Sequence, residues 1–134
     1  MKHRALTLVA CLSISSAWAQ GLDELDGEQL FARFCASCHG AMGRGDGPVA
    51  SSLAAVVPDL TRISARNGNE FPTGLIRETI DGRSVVIAHG TRFMPVWGYE
   101  FWIEEGADLT AEAEARGVIN RLVEYLRSIQ SRPE

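Results

Sequence analysis

Cys35-Ala36-Ser37-Cys38-His39 is the stretch from which the rest of this chain can be read. Two thiols three residues apart, with an imidazole directly after the second, form the pattern to which a c-type haem is attached. In that chemistry each cysteine makes a thioether to a vinyl group of the porphyrin, and the imidazole coordinates the iron. Other chemistries also use a Cys-x-x-Cys pair. A thioredoxin-type site needs a strand before the pair and a helix after it; here a helical pattern precedes it, and the glycine-rich run Gly40 to Pro48 follows. Tetrahedral zinc needs two further ligands, and beyond residue 20 the chain has no other cysteine and only His89 as another histidine. An ordinary disulfide of an exported protein leaves His39 without a part.

The N-terminus places this chemistry outside the cytoplasm. Met1-Lys2-His3-Arg4 is a basic start, Ala5 to Ile14 is apolar, and Ala17-Trp18-Ala19 is a small-x-small cleavage site before Gln20, so residues 1–19 are expected to be a cleaved signal peptide. A rival reading takes Leu8-Val9-Ala10-Cys11 as a lipoprotein signal anchored through Cys11. Against it, only six residues separate Arg4 from Cys11, and the apolar stretch continues past the cysteine. No segment approaches the roughly 20 apolar residues of a membrane helix, so no membrane span is expected. Thioether attachment of haem follows export in bacteria, and signal and motif together point to a bacterial periplasm.

Residues 20–134 are enough for one compact domain and too few for two. The whole chain carries 13 basic and 17 acidic residues. Without Lys2 and Arg4 the balance is 11 to 17, a net charge of about −6, and every remaining basic residue is an arginine. Nucleic acids and anionic membrane surfaces both call for clustered positive charge, so neither is an expected partner.

The apolar pattern is helical throughout. Asp26 and Gln29 have capping-box spacing, and Leu25 and Leu30 occupy the flanking hydrophobic-staple positions, which predicts a helix starting there and running to about Cys35. A shorter helix is expected at Thr73 to Ile80, with Pro72 near its start and Asp81-Gly82 at its end. The last, from about Leu109 to Ser128, puts Val118, Ile119, Leu122, Val123, Leu126 and Ile129 on one face. Gly117 interrupts it at a cost of about 1 kcal/mol relative to alanine. The aromatic run Trp97 to Ile103 reads as packing under a loop before that helix, with an exposed partner-binding patch as the rival reading.

With these features in place, the chain resembles the class I cytochrome c family of small soluble monohaem proteins with histidine and methionine axial ligands. The match covers nearly all of residues 20–134. Family members carry a glycine and an aromatic eight and four positions before the first haem cysteine, here Gly27 and Phe31. Their C-terminal helix carries an aliphatic residue followed three positions later by an aromatic; Leu122 and Tyr125 fit. The resemblance implies an all-α cytochrome c fold of about three to four helices, with loops wrapping one covalently bound haem c.

It also implies a distal methionine. Met42 lies only three residues after His39, on the proximal side, whereas Met94 lies 55 residues downstream in Arg92-Phe93-Met94-Pro95-Val96-Trp97-Gly98 and is followed by proline, as the distal methionine of this family commonly is. The expected haem-binding residues are therefore Cys35, Cys38, His39 and Met94, with His39 and Met94 on the iron and His89 as the rival to Met94. The carbonyl of Pro48 is the expected acceptor for the other ring N–H of His39. Arg62, Arg66, Arg83 and Arg92 are candidate propionate partners, and Trp97 is expected beside the distal ligand.

Iron held by two protein ligands has no open position for substrate. The expectation is a periplasmic one-electron carrier, not an enzyme by itself, that exchanges electrons with redox partner proteins as a monomer or weak oligomer. Two other classes stay open: a haem subunit tightly bound to a periplasmic dehydrogenase or terminal reductase, and a gas- or peroxide-binding protein with a labile sixth ligand.

Overall fold

The computed structural model describes residues 21–83 and 94–131, and these are helix and loop with no strand. The helices are α1 (Gly27–Phe34), α2 (Ala36–His39), α3 (Ile63–Arg66), α4 (Thr73–Asp81), α5 (Trp97–Glu104) and α6 (Ala111–Ser128). Single 3-10 turns form at Leu22–Glu24, Ala50–Ser52 and Leu60–Arg62. Four of the six helices are two turns or longer; α2 and α3 are single turns. The described residues form an all-α fold, as expected.

Helix α1 starts where its capping signals place it. The Asp26 carboxylate accepts from the Gln29 N–H at 2.9 Å, and the Gln29 side chain accepts from the Asp26 N–H at 2.9 Å, so two otherwise orphaned donors are satisfied reciprocally. Helical hydrogen bonding does not stop at Cys35. After a kink there the backbone makes one more turn, with the His39 N–H donating to the Cys35 carbonyl at 2.9 Å, and it ends at Gly40, whose φ is +79°. Helix α4 runs one residue past the expected end and stops at Gly82 in the left-handed conformation.

Helix α6 begins at Ala111, two residues later than the apolar pattern predicts. The Asp108 carboxylate takes the N–H groups of Thr110 and Ala111 at 2.8 and 2.9 Å, and Leu109 is left 96% exposed. Its face of Val118, Ile119, Leu122, Val123 and Leu126 is buried. Against that face pack α1, α4 and α5.

Helices α1 and α6 meet at Gly27. A Cβ at that position would run into the Arg121 carbonyl and come within 2.8 Å of the Tyr125 Cβ, so only glycine allows this approach. Phe31 and Tyr125 fill the crossing with ring centroids 5.2 Å apart. The segment Trp97 to Ile103, whose aromatics are expected to pack under a loop, lies in helix α5. Its run Trp-Gly-Tyr-Glu-Phe-Trp-Ile is apolar nearly all round, so no 3.6-residue alternation stands out in the sequence. Phe101 is fully buried, stacked on Trp97 at 5.5 Å and edge-on to Phe34 at 5.2 Å.

Candidate functional site

Packing α1, α4, α5 and α6 together leaves a cavity of about 310 Å³ with a predominantly apolar lining. Cys35, Cys38 and His39 enter it from the kinked α1–α2 turn, and Met94 enters from the segment before α5. All four residues singled out in the sequence thus line one cavity, although Met94 lies 55 residues from His39. Phe31 and Phe34 contribute from α1, Leu122 and Leu126 from α6, and Ile76 and Ile80 from α4. The remaining wall is the loop Leu53 to Pro58 with Leu60 and Ile63. A larger depression of about 540 Å³ over the α1/α6 crossing is open to solvent and is rimmed by Asp26, Glu28, Arg121 and Glu124. None of the four residues reaches it.

Electrostatics inside the cavity follow from burial. Cys35 and Cys38 form no disulfide with each other. Burial first, and the neighbouring Cys38 second, push the Cys35 thiol up to about 12, so it is protonated at neutral pH. Burial lowers the pKa of the His39 imidazole, and the backbone carbonyl of Pro58 opposes that effect. The ring Nδ1 is buried with no hydrogen bond of normal geometry. Pro58 is therefore the carbonyl beside the ring, while its contact falls short of a formed bond. This corrects the expectation for Pro48, which is exposed and makes no bond to His39. Pro58 directly precedes Asp59, whose carboxylate accepts from the Thr61 N–H at 2.9 Å and the Thr61 hydroxyl at 2.7 Å in a tight turn.

The glycine-rich loop brings Pro58 to the ring. The Gly45 N–H donates to the His39 carbonyl at 2.8 Å, and a Cβ on Gly45, whose φ is +82°, would meet the Val57 carbonyl oxygen at 2.5 Å and the Pro58 carbonyl at 3.2 Å. Met42, in the same loop, is 65% exposed and does not line the cavity. Trp97 lines it, edge-on to Phe34 at 5.6 Å.

The arginine candidates divide. Arg83 is committed to Asp81 at 2.6 Å and Glu112 at 2.7 Å, which together raise its pKa despite partial burial, and Arg66 donates to the Asp59 carbonyl at 2.8 Å. Arg62 is exposed. Arg92, His89, Cys11 and residues 1–19 lie outside the described residues.

A family model described as cytochrome c oxidase, cbb3-type, subunit III matches residues 23–111. The chain belongs to this family of c-type cytochromes. The match spans the kinked α1–α2 turn, the proximal loops, Met94 and α5, and ends at the first residue of α6. No curated protein and no solved structure gives a significant match. A c-type cytochrome domain carries covalently bound haem c and works in electron transfer rather than in catalysis of its own. The residues present fit that group: two thiols for the vinyl carbons, an imidazole whose Nδ1 is buried beside a carbonyl, and a thioether sulfur, all in one apolar cavity.

Proposed function

We propose that this cytochrome is a one-electron carrier holding a single haem c through Cys35 and Cys38, with His39 and Met94 as axial ligands. The observation that carries the reading is the shared cavity, which gathers these four side chains and leaves Met42 outside. Haem bound there supplies an iron couple that accepts and returns one electron. The protein's part is positional and dielectric. The apolar side chains from α1, α4 and α6 exclude water, which disfavours the more highly charged ferric state, and a soft methionine sulfur works in the same direction. With both axial positions filled by protein, no site is left for a substrate.

The same reading extends to location and processing. The basic, apolar and small-x-small segments of residues 1–19 support a cleaved signal and a single domain over 20–134 working in the periplasm. No helix among the described residues is long and apolar enough to cross a membrane.

The test is intact-mass and pyridine-haemochrome analysis of protein exported in a host that matures c-type cytochromes. The wild type is expected to carry one haem per chain and to begin at Gln20, and the double variant Cys35→Ala/Cys38→Ala to carry none covalently. A wild type with no covalent haem contradicts the proposal. The matched family's description as an oxidase subunit favours one second reading, that of a haem subunit held in a larger complex. Purification of the native protein under mild conditions separates the two: a carrier elutes at the mass of one chain, a subunit with its complex.

A further inference from the structure

Gln130, just beyond the end of α6, uses both N–H donors of its amide and its carbonyl oxygen on one neighbouring segment and the last turn of the helix before it. Its Oε1 accepts from the Ser64 N–H at 2.9 Å, and its Nε2 donates to the Leu60 carbonyl at 2.8 Å and the Leu126 carbonyl at 2.7 Å. The segment it grips is held by further hydrogen bonds. Asp59 closes a tight turn onto Thr61, Arg66 donates to the Asp59 carbonyl, and the Leu60 N–H donates to the Gly43 carbonyl at 2.6 Å. At one end of this segment stands Pro58, and Leu60 and Ile63 within it line the cavity. On its far side Pro58 abuts Gly45, which is bonded to the His39 carbonyl. The Gln130 side-chain amide thus ties the 58–64 segment to the end of α6.

We infer that Gln130 is a positioning residue for the redox site: by anchoring the 58–64 segment to α6 it sets the approach of the Pro58 carbonyl to the His39 ring, and through that contact the reduction potential. The physical link is ligand basicity. A carbonyl accepting the other ring N–H of a metal-bound histidine fixes its tautomer and makes it a stronger donor, which stabilises the ferric state and lowers the potential. A segment released from α6 loosens that contact. Gln130 touches neither the ring nor the cavity, and the Ser131 N–H still ties Thr61 to the C-terminus at 2.8 Å, so the segment stays attached without it. The inference rests on His39 being an axial ligand.

The experiment compares holoprotein of the wild type, Gln130→Met, Gln130→Asn and Ser131→Ala by spectroelectrochemical titration and by NMR of the paramagnetically shifted resonances in the ferric state. Methionine matches the volume of glutamine and loses all three bonds; asparagine keeps the amide on a stem too short to span them. Both are expected to raise the midpoint potential and displace the His39 ring resonances. Ser131→Ala, which loses only a side-chain contact to Thr61, is expected to leave both at wild-type values. Gln130 variants with wild-type potential and resonances, differing only in a lower Tm, overturn the inference and leave Gln130 as scaffold. If Gln130→Met does not fold, Gln130→Asn gives the same decision. Failure of the underlying reading shows separately, as a wild type in which the His39 ring protons carry no paramagnetic shift.

Discussion

The α1/α6 crossing and the proximal wall of the cavity are built by different physics. At the crossing, two helices meet through a missing side chain at Gly27 and the rings of Phe31 and Tyr125, and contact is made by apolar surface. At the proximal wall, the segments 40–47 and 57–64 are held by backbone hydrogen bonds, by the Asp59 turn and by the Gln130 amide. The first supplies stability, because burying an aliphatic side chain contributes about 1.5 to 3 kcal/mol. The second contributes less stability per contact and fixes direction, which matters for a ring nitrogen facing a carbonyl. Substitutions on the helix-packing side at positions that do not line the cavity should therefore change stability and leave the redox site alone, whereas Phe31 belongs to both regions.

Ile119, buried in α6 away from the cavity, gives the largest expected effect. Ile119→Ala should cost about 2 to 5 kcal/mol, read as a lower denaturation midpoint, with the reduction potential of the folded protein unmoved. A shifted potential would break the separation between the two regions. Gly27→Ala comes next. Its new Cβ must push against the Arg121 carbonyl and the Tyr125 Cβ, so a loss of about 1 to 3 kcal/mol is expected; a neutral result would show that the helices can separate freely.

Gly117 sharpens the contrast because it stands on the same helix as the crossing without taking part in it. A Cβ there would meet only the Arg121 Nη1, at an ordinary 3.7 Å. Gly117→Ala is expected to stabilise the protein by up to about 1 kcal/mol in denaturant titrations, and a loss would mean that the site is tighter than its geometry shows. The smallest effect belongs to Asp108 at the start of α6. The Ala111 N–H leads in lowering its pKa below the usual 3.8, with the Thr110 hydroxyl and N–H adding to it. A depressed carboxyl stabilises the fold above its unfolded pKa, and that contribution is lost as pH falls through the folded value. Asp108→Ala should lower Tm slightly at neutral pH, and the difference from wild type should shrink as pH falls below 3.8. A difference that persists undiminished into acid would assign the effect to something other than this cap.

The same division governs what the sequence made legible. The capping box at Asp26, the stop at Gly82, the crossing residues and the buried face of α6 are local or periodic signals, and each stands where its pattern placed it. The gathering of Cys35, Cys38, His39 and Met94 in one cavity was also expected, because the motif and the methionine-proline pair are short and distinctive. What escaped was set by long-range contact. Pro58 and not Pro48 faces His39, because the loop's depth depends on Gly45 meeting Val57 and Pro58. Helix α5 escaped because its buried and exposed faces are both apolar: Phe101 has no exposure, while Tyr99 on the outside is 51% exposed. The clamp at Gln130 joins residues 66 and 70 positions apart, and no window along the chain contains it.

The proposed ligation of a single haem c by His39 and Met94 is tested most directly by the optical spectrum of oxidised holoprotein for the wild type and Met94→Ala. The expected result is a low-spin wild type with the weak long-wavelength ferric band that reports methionine sulfur on haem iron, lost in Met94→Ala together with a lower reduction potential. A wild type without that band at neutral pH, or a Met94→Ala variant that retains it, would contradict the account.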